Sequence, residues 1–277
     1  MSNLAQILSR SRRLSGVVVF TTLLAAGMSQ AGTTPPAPDA QRLNELLSRT
    51  AGQTAGFLDQ FSDVKCTEQV RQEKLNKDDK VELKEESTYD YLVILTNSGG
   101  ELNLSESRIP VKEAKRDRRN TSMLLSNGFA TLFLVFHPFY SEAFKFTLAG
   151  EETLDGHVLQ KITFQHVPGM KSPAALALRG REYPLELGGT AWIEPQTGSI
   201  AKIEAGIADT LADVGLKSLD SEIDFSPLPF PDEKQVYWYP TQARVEVETP
   251  KQHWRNLHHF TSYKKFSVST EEQVIKK

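Results

Sequence analysis

Residues 188–207, GGTAWIEPQTGSIAKIEAGI, constrain the fold more than any other stretch of this 277-residue chain. Ala191 and Ile193 alternate onto one face, and Ile203, Ala205 and Ile207 do the same in the second half. Thr190, Glu194, Lys202 and Glu204 take the opposite face, with Trp192 and Ile200 interrupting its polarity. Successive side chains of a strand point to opposite sides, so this pattern asks for two half-buried strands. Between them Pro195-Gln196-Thr197-Gly198 reads as the turn, with Pro fixing φ at the entry and Gly free to take positive φ. The expectation is a β-hairpin set among neighbours in an antiparallel sheet.

The rest of the chain supplies those neighbours. Leu43, Leu46, Leu47, Ala51, Thr54, Phe57, Leu58 and Phe61 recur at spacings of three and four, which predicts a helix over about 39–61 with Asp39 as its N-cap. Gly52 and Gly56 weaken its middle by roughly 1 kcal/mol each. From Asp63 the period becomes two, giving strands at about 64–75, 81–95 and 101–112, the last two joined through Asn97-Ser98-Gly99-Gly100. Six of the fourteen phenylalanines lie between Phe129 and Phe146. Phe129, Phe133 and Phe136 share one helical face, while Leu132, Leu134 and Val135 make this helix apolar nearly all round. Such a helix must be buried, Pro138 ends it, and it is expected to plug the hollow of a curved sheet. Strands at 144–148 and 158–167 pair around Asp155-Gly156. Residues 168–184 read as loop, with a helical turn or two at 173–178. Leu219, Ser221, Ile223 and Phe225 alternate as a strand, Pro227, Pro229 and Pro231 break it, and strands at about 244–248 and 256–267 finish the sheet. The fold class expected is α+β: a curved antiparallel sheet, an incomplete β-barrel, wrapped around one or two helices.

The N-terminus reads as a targeting segment. Arg10, Arg12 and Arg13 precede the apolar run 17–26, which is too short to be a stable transmembrane anchor. Ser29-Gln30-Ala31 supplies small residues ahead of a cut, so residues 1–31 are expected to be a signal peptide, followed by a Pro-rich leader at 32–38, one β domain at 39–268 and a polar tail at 269–277. The expected location is the periplasm or the exterior. Removing the signal takes away three arginines and no acid, which leaves 29 basic against 35 acidic side chains, a net charge of −6. That balance offers nucleic acid no electrostatic footprint.

The chemistry inventory is sparse. Cys66 is the only cysteine, so no intramolecular disulfide forms, and its place in an alternating strand marks it as a buried structural residue. His253, His258 and His259 invite a metal reading, but His258 and His259 point to opposite faces of their strand and cannot easily chelate one ion, so surface or sheet-facing histidines are expected. The run Glu113–Arg119 reads as a solvated loop. No G-x-S-x-G, H-E-x-x-H or P-loop is present, so no catalytic, metal or cofactor residue is assigned and the chain is not expected to be an enzyme. Large rings remain: Phe129, Phe133, Phe136, Trp192 and Trp238 are the candidate lining of an apolar cavity.

A signal segment, a long amphipathic first helix, consecutive antiparallel strands and a mid-chain apolar helix together resemble the outer-membrane lipoprotein-sorting (LolA/LolB-like) superfamily. Gly189-Thr190-Ala191-Trp192-Ile193-Glu194-Pro195-Gln196-Thr197-Gly198 and the ending around Phe260–Phe266 are the closest local likenesses. The resemblance implies an incomplete barrel holding acyl chains or other apolar groups, with an apolar small molecule or acyl chain as partner. Envelope-stress regulators of the same fold suggest the alternative, a module that contacts an envelope protein.

Overall fold

The stripe from Leu43 to Phe61 folds as α1 (Pro38–Phe61). Here, in a computed structural model, residues 38–98, 101–111, 129–178, 181–212, 214–231 and 233–266 are described. The signal segment and its cut, residues 32–37 of the leader, Gly99 and Gly100, the run 113–119 and the tail 269–277 lie outside the described residues. Asp39 sits in the first turn of α1, where a carboxylate meets the positive end of the helix dipole. Leu46, Thr50, Thr54, Phe57, Leu58 and Phe61 form its buried side. The Thr50 hydroxyl donates to the Leu46 carbonyl at 3.0 Å, so its burial leaves no unpaired donor. Gly56 has a packing reason: a Cβ there would lie 2.5 Å from the Tyr237 hydroxyl. Beyond the helix, Ser62 accepts from the Leu95 amide at 3.2 Å and fastens the end of α1 to the sheet.

Twelve strands follow among the described residues: β1 (Val64–Leu75), β2 (Val81–Ser98), β3 (Glu101–Pro110), β4 (Phe144–Leu154), β5 (His157–His166), β6 (Ala175–Leu178), β7 (Arg181–Pro184), β8 (Leu187–Ile193), β9 (Ile200–Ile207), β10 (Ser218–Leu228), β11 (Tyr237–Glu248) and β12 (His253–Lys265). Ten of them make one open antiparallel sheet in the order β3-β2-β1-β12-β11-β10-β9-β8-β5-β4. Pairing of β1 with β12 brings the first and last strands together in mid-sheet, and β3 and β4 are its two edges. The sheet curves around α1 and two 3-10 segments, Phe129–Phe136 and Pro138–Ala143, which together with one face of the sheet form the main apolar core. The α+β reading therefore holds.

Several details differ from the sequence reading. Residues 173–178 form no helical turn; Ala175–Leu178 pairs with Arg181–Pro184 as a separate two-stranded ribbon, a local pairing that so short an apolar run cannot announce. The strand expected to start near Arg244 starts at Tyr237, because β11 continues through Tyr237-Trp238-Tyr239-Pro240 opposite Phe225–Leu228. Pro227 is accommodated inside β10 rather than ending it. The mid-chain apolar helix is 3-10, not α: with no polar stripe, its sequence sets no 3.6-residue period.

The hairpin of β8 and β9 forms as read, with Gly198 at φ 78° and its amide donating to the Glu194 carbonyl at 2.9 Å. The Glu194 carboxylate accepts from the Thr197 amide at 2.6 Å and the Gln196 amide at 3.2 Å, which closes the turn. A Cβ at position 198 would stand 2.6 Å from the Thr50 amide nitrogen, so glycine is required for the helix contact as well as for the turn. A register shift between Trp192 and Ile193 leaves an extra residue in β9. It turns Ile200 into the core and Ala201 outward beside Trp192, contrary to the simple alternation.

Candidate functional site

The hollow face of the sheet is apolar, aliphatic along β8 and β9 and largely aromatic on the strands to either side. The first 3-10 segment is buried from Leu132 to Phe136, and it fills the space between α1 and the strands as a plug. Phe133, 5% exposed, lies between Phe57 and Phe225, with ring centroids 4.5 and 4.7 Å away. Phe136 meets Phe146 at 5.5 Å and Phe164 edge-on at 5.7 Å. The second segment begins with Pro138 at a position where a helix needs no amide donor, and His137 caps it by accepting from the Phe139 amide at 3.1 Å. Tyr140 donates to the Leu102 carbonyl at 3.4 Å, tying the plug to edge strand β3.

Of the five residues singled out from the sequence, Phe133 and Phe136 come together in this interior. Phe129 opens the plug, and its side chain lies outside the described residues. Trp192 stands elsewhere, in a small apolar group with Leu159 and Ala201 on the outer face of the sheet. Trp238 packs against both that group and the main core, with His157 at 5.6 Å. Lys161 and Lys202 reach over the Trp192 ring at 5.1 and 5.4 Å, and its indole N–H donates to Glu152 at 3.1 Å. Neighbouring Ala191 and Ile193 face the core, so strand alternation alone turns Trp192 away from the hollow.

A group that sequence reasoning missed lies at the β3 end of the hollow. Glu68 is fully buried, and Arg108 grips its carboxylate with two N–H donors at 2.6 and 2.8 Å. His258 Nδ1 lies 2.8 Å from the same carboxylate, Glu106 is 3.2 Å from the guanidinium, and Arg108 sits 5.1 Å above the Tyr91 ring. Burial opposes ionisation of Glu68, but the hydrogen bonds from His258 and Arg108 outweigh it and hold the carboxyl below its ordinary value. Beside it, burial pushes the Cys66 thiol up to about 12, which fits an inert structural cysteine. Glu68 shares a strand face with Cys66 and Val70, so an acid on an apolar face was the available signal.

On the other side of the sheet an open groove of about 1490 Å³ crosses β2, β1, β12, β11 and β10. Its lining is mixed: Gln69, Arg71, Thr88, Asp224, Gln242 and His259 contribute polar groups, and Val70, Ala243 and Leu257 apolar ones. His258 and His259 are successive residues of β12, so their side chains take opposite faces of the sheet. His253 is separate again, 3.2 Å from Asp79 and 3.5 Å from Glu246. Among the described residues no group of three or more His, Cys, Asp or Glu side chains is placed to hold a metal ion.

Fold and interior together define an open, curved antiparallel sheet closed over an apolar filling by helical segments. No family model matches the chain, and no curated protein sequence does. Solved structures do resemble it. A LolA-superfamily protein of Nitrosomonas europaea is 10% identical, with 84% of this chain and 97% of that one covered at a TM-score of 0.37. A DUF1329-family protein of Desulfovibrio piger is 12% identical, covering 87% and 98% at 0.42. An outer-membrane lipoprotein-sorting protein domain of Vibrio parahaemolyticus is 12% identical, covering 83% and 95% at 0.40. No described helix is long and apolar enough to cross a membrane.

Proposed function

We propose that this chain is an exported, non-enzymatic binding protein that takes an apolar, acyl-like ligand into the hollow of the sheet by displacing the plug. One observation carries the reading: the space enclosed by the sheet is lined by apolar side chains, many of them aromatic, and filled by a short 3-10 segment rather than by sheet closure. Hydrogen bonds of a 3-10 segment have poorer geometry than those of an α-helix, so the plug gives up less when it leaves. An acyl chain would replace its contacts in kind, at roughly 25 cal/mol per Å² of apolar surface. Export is supported by the basic, apolar and small-residue order of residues 10–31.

The open outer groove, with charged and apolar residues side by side, favours a second reading, in which the chain is an envelope module that docks a protein on that face. One titration separates the two. The mature protein is titrated with a fluorescent long-chain fatty acid and then competed with palmitic acid, in native form and with Arg71→Glu and Arg244→Glu together. Saturable binding that survives the charge reversal is the expected result. Absence of saturable binding by the folded native protein overturns the ligand reading and leaves the docking module.

A further inference from the structure

His166 ends β5 on the hollow face, 3% exposed, and neither of its ring nitrogens has a hydrogen-bond partner among the described residues. It is not alone: both side-chain amide atoms of Gln60 and the Tyr239 hydroxyl are also buried without a partner among the described residues, whereas the charged groups are matched. Glu68, Arg108 and His258 are mutually bonded, while in the outer groove Arg71 pairs with Glu73 at 2.5 Å and Arg244 with Glu246 at 3.4 Å. His166 has no such role. The backbone beside it is already satisfied, since the Val167 amide donates to the Ala143 carbonyl at 2.8 Å. A buried imidazole that caps nothing is a cost to the fold, and buried polar groups are ordinarily paired.

Its surroundings show what kind of partner would fit. His166 pairs in register with Phe144, whose ring meets the imidazole edge-on at 5.3 Å. Phe144 leads to Phe164 at 6.0 Å and to Phe146 at 6.2 Å, and both of these touch Phe136 of the plug. When the plug moves, the ring it leaves exposed is therefore continuous with the imidazole. A neutral imidazole presents one N–H donor and one lone pair, the complement of a hydroxyl or a carboxylic acid.

We infer that His166 is the headgroup subsite of the hollow and that its ligand is a single-chain amphiphile with a hydroxyl or carboxyl head. The aliphatic chain lies along Phe144, Phe146, Phe164 and the place of Phe136, and the head bonds to the ring nitrogens. This assignment rests on the apolar-ligand reading and adds to it a chemical demand that a plain hydrocarbon cannot meet.

The test is displacement of the same fluorescent fatty acid by palmitic acid and by methyl palmitate, which lacks the donor, using native protein, His166→Leu and His166→Gln. Native protein is expected to prefer the acid about tenfold, the worth of one hydrogen bond to a buried group. His166→Leu should bind both equally, and His166→Gln should keep part of the preference. Equal binding of acid and ester by native protein, or a preference that survives in His166→Leu, overturns the subsite while leaving the hollow as a ligand site. If neither compound binds native protein, the hollow reading itself falls. Should His166→Leu not fold, nitrogen NMR of the native imidazole decides: the ring signals shift on adding palmitic acid, and unmoved signals overturn the assignment.

Discussion

Phe133→Ala is expected to lower the free energy of unfolding by about 3–5 kcal/mol, near the upper end for a core truncation. The ring is held on both sides, by Phe57 from α1 and by Phe225 from β10, so neither neighbour can close the gap without leaving its own contacts. Equilibrium denaturation of native protein and variant measures the difference. A loss under about 1 kcal/mol would mean that the site collapses freely and that the plug is loosely seated. The same variant carries a functional consequence. If ligand entry requires the plug to leave, weakening its seat raises the fraction of competent molecules, and apparent affinity for the fatty-acid probe rises as stability falls. Lower stability with unchanged affinity would separate the plug from binding.

Glu68→Leu is the second large effect, a loss of about 3–5 kcal/mol, because it strands the Arg108 guanidinium and His258 in a buried site. Glu106 still faces Arg108 and keeps the cost from going higher. The sign with pH follows from the depressed carboxyl. Its contribution is fully present above the ordinary glutamate value of 4.5 and is lost as the pH falls below that value and through the lower folded one. Native protein should therefore lose stability steeply in that acid window, and Glu68→Leu should show a shallower loss there. Parallel acid profiles would place the cluster's stabilisation elsewhere.

Much of the architecture was legible because it is written in short periods. The hairpin around Pro195–Gly198 announced itself through alternation on both arms and a glycine at the position that takes φ 78°. Alternation failed at Ile200, where one extra residue in β9 moved the side chain to the other face, and no local signal marks a bulge of that kind. For Trp192 the same rule was right and ring size misleading: flanked by core-facing Ala191 and Ile193, it had to point outward. The plug was found from its composition, but its 3-10 geometry was not, since a segment apolar on every side carries no phase. Glu68 could be placed on the apolar face of β1, whereas its partners stand 40 and 190 residues away and meet it only through the sheet order. His166 likewise falls on the face of Ile162 and Phe164 by counting, while its lack of a hydrogen-bond partner among the described residues belongs to the packing.

Hydrogen exchange over residues 129–143, with and without saturating palmitic acid, tests the displaced plug most directly. The account predicts that amides of the plug exchange faster in the liganded protein, while α1 and the central strands keep their protection. Plug amides that are unchanged or better protected with ligand bound would contradict it, because the acyl chain would then lie somewhere other than the space this segment fills.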